Sequence, residues 1–144
     1  QMQQALAMID GGQQGPASAI LLRLGSQSSL LGDRAKAILA TLKLQNGSIA
    51  QGMNLLQSAI KTSSQWPVHE RLRAQADYGL AYLMRGREEQ GISLLNYVYD
   101  EFLKLHSYED ASQCLANIAT YYEKTDQKAK HRIALKKLQS FEIR

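Results

Sequence analysis

Gly79-Leu80-Ala81-Tyr82-Leu83-Met84-Arg85-Gly86-Arg87-Glu88-Glu89-Gln90-Gly91 is the stretch that decides the fold. Two helix-forming runs meet at Gly86, the residue that ends a helix in a left-handed conformation most cheaply. A shift of 39 residues back lays this stretch on Ala40-Thr41-Leu42-Lys43-Leu44-Gln45-Asn46-Gly47-Ser48-Ile49-Ala50-Gln51-Gly52. Leu44 then meets Leu83, Gly47 meets Gly86, Gln51 meets Gln90 and Gly52 meets Gly91. The Leu55-Leu56 pair falls on Leu94-Leu95, and Ala59 falls on Val98.

The repetition extends in both directions. About 40 residues forward, Gly79 meets Ala119, Tyr82 meets Tyr122, Leu94 and Leu95 meet Ala134 and Leu135, and Val98 meets Leu138. At 35 residues back, Gly47 meets Gly12, Gly52 meets Ala17, and Leu55-Leu56 meet Ile20-Leu21. The shared residue types have a steric reading. Ala5, Ala40, Gly79 and Ala119 are small so that a second helix can approach the first. Ala17, Gly52 and Gly91 are small for the same reason on the facing helix. A fixed period of this length marks a stacked-repeat architecture, because a lone hairpin cannot bury both of its faces.

Apolar spacing and punctuation predict eight helices in four pairs, over 2–9 and 16–24, 29–45 and 48–62, 68–85 and 88–104, and 108–124 and 127–141. Gly11-Gly12, Asn46-Gly47, Gly86 and Thr125-Asp126 break the pairs, with Ser48 as an expected N-cap. Ser63-Ser64-Gln65-Trp66-Pro67 separates the second pair from the third. Short connections make each pair an antiparallel hairpin. The units are about 1–27, 28–65, 66–106 and 107–144 of one repeat domain. The two prolines, Pro16 and Pro67, fall at predicted helix starts, and the scarcity of Val argues against a sheet.

This arrangement resembles the tetratricopeptide repeat (TPR). Gly79-Leu80-Ala81-Tyr82, then Gly86, then Gly91 follow that motif's small–small–aromatic–Gly–Ala order, with Gly91 where Ala is usual. The fourth unit departs from it, with Asp126 for the turn glycine and His131 for a small residue. The units also exceed the family's common length, as in its extended variants. The resemblance implies an all-α fold, a short right-handed solenoid of about four hairpins and seven or eight helices. It also implies a concave surface, lined by the first helix of each pair, that receives a peptide or helix of another protein. Its groove positions fall on Arg34, Ala37, Thr41 and Gln45; on Arg73, Ala76, Leu80 and Met84; and on Gln113, Ala116, Thr120 and Lys124. Arg34 and Arg73 are candidates to grip a carboxylate through two parallel hydrogen bonds.

Chemical motifs are scarce. His69, His106 and His131 lie far apart without paired cysteines, so no metal site is expected. Cys114 sits in a predicted helix beside Leu115 and reads as core. As the single cysteine it forms no internal disulfide, and the simpler expectation is a reduced, intracellular setting, cytoplasmic or nuclear. The string Ser58-Ala59-Ile60-Lys61 lacks the companion motifs of serine acyl-enzymes. Glu88-Glu89 and Glu109-Asp110 suit helix starts electrostatically. No Gly-rich phosphate loop, cofactor motif or membrane-length apolar run occurs. A non-catalytic module is therefore expected.

The net charge of +4 is uneven. Residues 1–122 balance, and the excess comes from Lys124, Lys128, Lys130, Arg132, Lys136, Lys137 and Arg144 set against Glu123, Asp126 and Glu142. Lys128, Arg132, Lys136 and Lys137 form a candidate basic surface for nucleic acid. A solvated outer face on a capping helix, with Ala134, Leu138 and Phe141 inward, accounts for them more simply. The apolar first unit (Met2, Leu6, Met8, Ile9), beginning at Gln1, is expected to pack on upstream repeats of a longer protein or on a second copy. The leading expectation is a scaffold within a multiprotein assembly. A peptide- or effector-sensing regulator is the alternative, and nucleic-acid contact through the last helix ranks behind both.

Overall fold

The computed structural model describes residues 1–25 and 30–143, with side chains through 141. The expected helix start at Ser29, the unit boundary at 27/28 and Arg144 lie outside the described residues. Eight α-helices, and no strand, occur among the described residues: α1 Met2–Asp10, α2 Gln14–Gly25, α3 Leu30–Gln45, α4 Ile49–Ala59, α5 Val68–Met84, α6 Glu88–Lys104, α7 Tyr108–Lys124 and α8 Lys128–Gln139. Two compact units divide the chain, residues 1–77 and 78–144, the division falling within α5.

In the first unit α1 packs on α2, α2 on α3 and α3 on α4. The core gathers Met2, Ala5, Ala17, Leu21, Leu24, Ala35, Leu39 and Leu42, with Met8, Ile9, Ile20, Ile38 and Leu55 packed against it. Gly52 marks the closest approach of α4 to α3. A Cβ there would lie 2.8 Å from Leu44 Cγ and 3.2 Å from the Ala40 carbonyl oxygen. The expected helix through residue 62 ends earlier. After Ala59 the chain tightens into a 3₁₀ turn, Ile60–Gln65, because Pro67 forces Trp66 into an extended conformation (φ −81°, ψ 160°). Trp66 Nε1 donates to Thr62 Oγ1 (3.1 Å), and the Thr62 hydroxyl donates to Asp33 (2.8 Å), pinning the turn to α3.

The second unit repeats the same contacts. A Cβ on Gly91 would lie 2.6 Å from Leu83 Cδ2 and 2.9 Å from the Gly79 carbonyl oxygen. Gly79, Leu83 and Gly91 thus stand as Ala40, Leu44 and Gly52 do, as the offset of 39 predicts. Leu95, Val98 and Phe102 of α6, and Ala111, Leu115 and Ile118 of α7, are buried, and Cys114 joins them. Helices start at residues 68, 88, 108 and 128, so each helix and its turn occupy 20 residues.

Five turns share one hydrogen-bond pattern. At Gly86 the amide bonds the Leu83 carbonyl (3.0 Å), and the Arg87 amide bonds that of Tyr82 (2.9 Å). The equivalents run from Gly12 and Gln13, Gly47 and Ser48, His106 and Ser107, and Asp126 and Gln127. Their central residues are left-handed, with φ of 81°, 84° and 76° at the glycines, 57° at His106 and 58° at Asp126. Ser48 does precede α4, but its side chain makes no capping bond, and its carbonyl receives the Gly52 amide instead. The terminal helix also differs from expectation. Ala134 is buried while Leu135, the match to Leu95, is 39% exposed and Ile133 is 59% exposed, so α8 does not present a purely polar outer face.

Candidate partner-binding cleft

Three helices that open successive pairs, α1, α3 and α5, together with Trp66, line a cleft of about 260 Å³ within the first unit. Leu6 and Ile9 of α1, Ile38 and Leu42 of α3, and Trp66 and Ala74 make its walls apolar. Arg34, Thr41 and Gln45 enter from α3, and Glu70, Arg73 and Asp77 from α5. Glu70, Arg73 and Asp77 reach one face of α5 because they recur at helical spacing, and Trp66 joins them from its extended position before the helix.

The polar groups in the cleft are paired across it. Arg34 holds Glu70 through two hydrogen bonds, Nε to Oε2 at 2.7 Å and Nη2 to Oε1 at 2.5 Å. These bonds raise the guanidinium above its ordinary range. The Thr41 hydroxyl donates to Asp77 Oδ2 at 2.5 Å. Burial pushes the Asp77 carboxyl up to about 6, with the Thr41 hydrogen bond pulling the other way. Arg73 is exposed and carries an interaction of its own.

The sequence-derived groove positions divide into two sets. Arg34, Ala37, Thr41, Gln45 and Arg73 come together in this cleft. Leu80 and Met84 continue along α5 in the second unit, Met84 being 46% exposed, and neither lines the cleft. Gln113, Thr120 and Lys124 are exposed on α7, where the Gln113 amide donates to Asn117 (3.3 Å). Ala76 and Ala116 are half-buried and lie outside the cleft. Sequence reasoning missed Glu70, Asp77 and Trp66. The three- and four-residue steps from Glu70 to Arg73 to Asp77 were the available signal for the two acids.

Elsewhere in the second unit, Gln127 donates to Glu88 (2.7 Å), and with Tyr121 it holds the Glu88 carboxyl below its usual range. Tyr78 and Tyr82 stack edge to face at 4.8 Å. Lys128, Arg132, Lys136 and Lys137 are exposed on α8, Lys137 also edging a smaller pocket with Tyr122, Lys130 and Ile133. Among the described residues no cluster of His, Cys, Asp and Glu suits a metal ion, and no helix is long and apolar enough to cross a membrane.

No sequence-family profile matches the chain, and no curated protein is similar to it in sequence. Solved structures are similar in fold. A protein from Podosopora anserina, named for kinesin light chain and for nearly identical TPR-like repeats, superimposes with a TM-score of 0.66 at 18% identity, covering 96% of this chain and 71% of that one. A single-substitution variant of that protein gives 0.67 at 18% identity, covering 95% and 70%. The fold is a TPR-like helical repeat.

Proposed function

We propose that the chain is a non-catalytic protein-interaction module and that the cleft between α1, α3 and α5 takes a segment of another protein. One observation carries this reading: three successive hairpins each contribute their first helix to a single cleft with apolar walls and four charged side chains. Apolar walls supply affinity and a few placed polar groups supply selectivity. The volume lies just below the roughly 300–1,000 Å³ of small-molecule sites, which favours one or two side chains of a chain segment over a bulky effector. Leu80 and Met84 on α5, and Gln113, Thr120 and Lys124 on α7, are groove positions of the second unit, proposed as partner contacts of that unit by itself. Within that role, a scaffold joined to further chains in an assembly is the form that a stacked-repeat architecture supports.

Site-specific photo-crosslinking tests the cleft. A benzophenone side chain replaces Gln45 or Arg73 at the rim, or Lys136 on α8 as the outer-face control. Partner proteins of the source cell are expected to crosslink from the two rim positions and not from position 136. Crosslinks, to protein or nucleic acid, arising from position 136 alone would move the function to the basic helix.

A further inference from the structure

The charged groups that line the cleft are not equally satisfied. Arg34 of α3 and Glu70 of α5 hold each other with matched geometry. Arg73 already has an interaction. The α1 lining, Leu6 and Ile9, brings no charge. Asp77 accepts from a neutral donor, the Thr41 hydroxyl, and burial outweighs that bond in setting its acidity, with no cation contributing. A carboxylate withdrawn from water and lacking a counter-charge is unfavourable, and an arriving cation relieves that. An arriving anion would instead have to compete with the interactions that Arg34 and Arg73 already make.

We propose that the cleft selects its partner by a lysine or arginine side chain whose cationic head docks on Asp77, its methylene stem lying along Ile38 and Leu42. This rests on the cleft being the partner site. A long cationic side chain suits such a place, because its stem is apolar and only its tip is charged. The raised carboxyl of Asp77 agrees with this, since a bound cation would restore its ordinary acidity.

The chain's single tryptophan, Trp66, lines the cleft and reports occupancy by its fluorescence. Random dodecapeptides displayed on phage are selected on the whole chain, and the winners are synthesised with capped ends. Winners are expected to share a lysine or arginine. Replacing that residue by norleucine weakens binding about 10- to 100-fold, the range for a charge-assisted hydrogen bond. Asp77→Asn weakens the parent peptide to the same extent and leaves the norleucine peptide unchanged. Circular dichroism confirms that the variant folds. The wild type supplies a second readout: the parent peptide binds more weakly at pH 5 than at pH 8, while the norleucine peptide does not respond. Winners that perturb Trp66 but tolerate norleucine and Asp77→Asn would overturn the cationic anchor and leave the cleft standing. Winners that bind without perturbing Trp66, and that crosslink only from α8, would overturn both.

Discussion

Asp77 is the residue at which stability and the proposed recognition meet. Its carboxyl is raised from 3.8 to about 6, so the folded state holds the proton more tightly than the unfolded chain does. The stability it contributes is complete below pH 3.8 and is lost as pH rises through 6, a cost of about 1–3 kcal/mol at neutral pH. Asp77→Asn should therefore raise the melting temperature at pH 7.5 by a few degrees and do little at pH 4. Melting curves of both proteins between pH 4 and 8 measure this, and parallel curves would show that Asp77 is not the titrating group. The sequence alone showed Thr41 as a groove position but not Asp77. A helix face can be read from spacing, but the pairing of a hydroxyl on one helix with a carboxylate 36 residues away depends on how two helices register. For the same reason Glu70 was not legible as the internal partner of Arg34, which the sequence alone assigns to a carboxylate of another protein.

At the scale of the helix, small residues set how closely elements approach, and this was the most legible part of the fold. Gly91 sits where any Cβ would press on Leu83 and on the Gly79 backbone. Leu83 can shift but a carbonyl oxygen cannot, so Gly91→Ala should destabilise the chain by about 1–3 kcal/mol despite alanine's better helix propensity. Urea unfolding measures the difference, and an unchanged midpoint would mean that α5 and α6 do not pack at this distance. Turns were legible where glycine marks them and less so elsewhere. His106 adopts the same left-handed geometry as Gly86, but histidine marks a left-handed turn far more weakly than glycine, so the break before α7 was placed without its turn pattern. The early end of α4 follows from Pro67, whose restriction on Trp66 reaches back through a 3₁₀ turn that periodicity cannot distinguish from a further helical turn.

At the scale of the molecule, repetition gave the architecture, and the match to TPR-like structures across almost the whole chain agrees with it. The candidate cleft was only partly legible. Five of the groove positions converge in the first unit, while Leu80, Met84, Gln113, Thr120 and Lys124 belong to the second. Spacing names the residues on a helix face, but which faces close on one another depends on the packing of three helices at once. The charge excess on α8 was conspicuous in sequence because basic residues are easily counted, whereas the cleft combines both signs and leaves no excess. Amide chemical-shift mapping of the isotope-labelled chain, titrated with a phage-selected peptide, decides between these surfaces. Shifts should concentrate at Ala37, Thr41, Gln45, Arg73 and Asp77. Shifts confined to Lys128, Arg132, Lys136 and Lys137, with the cleft amides unmoved, would contradict the account.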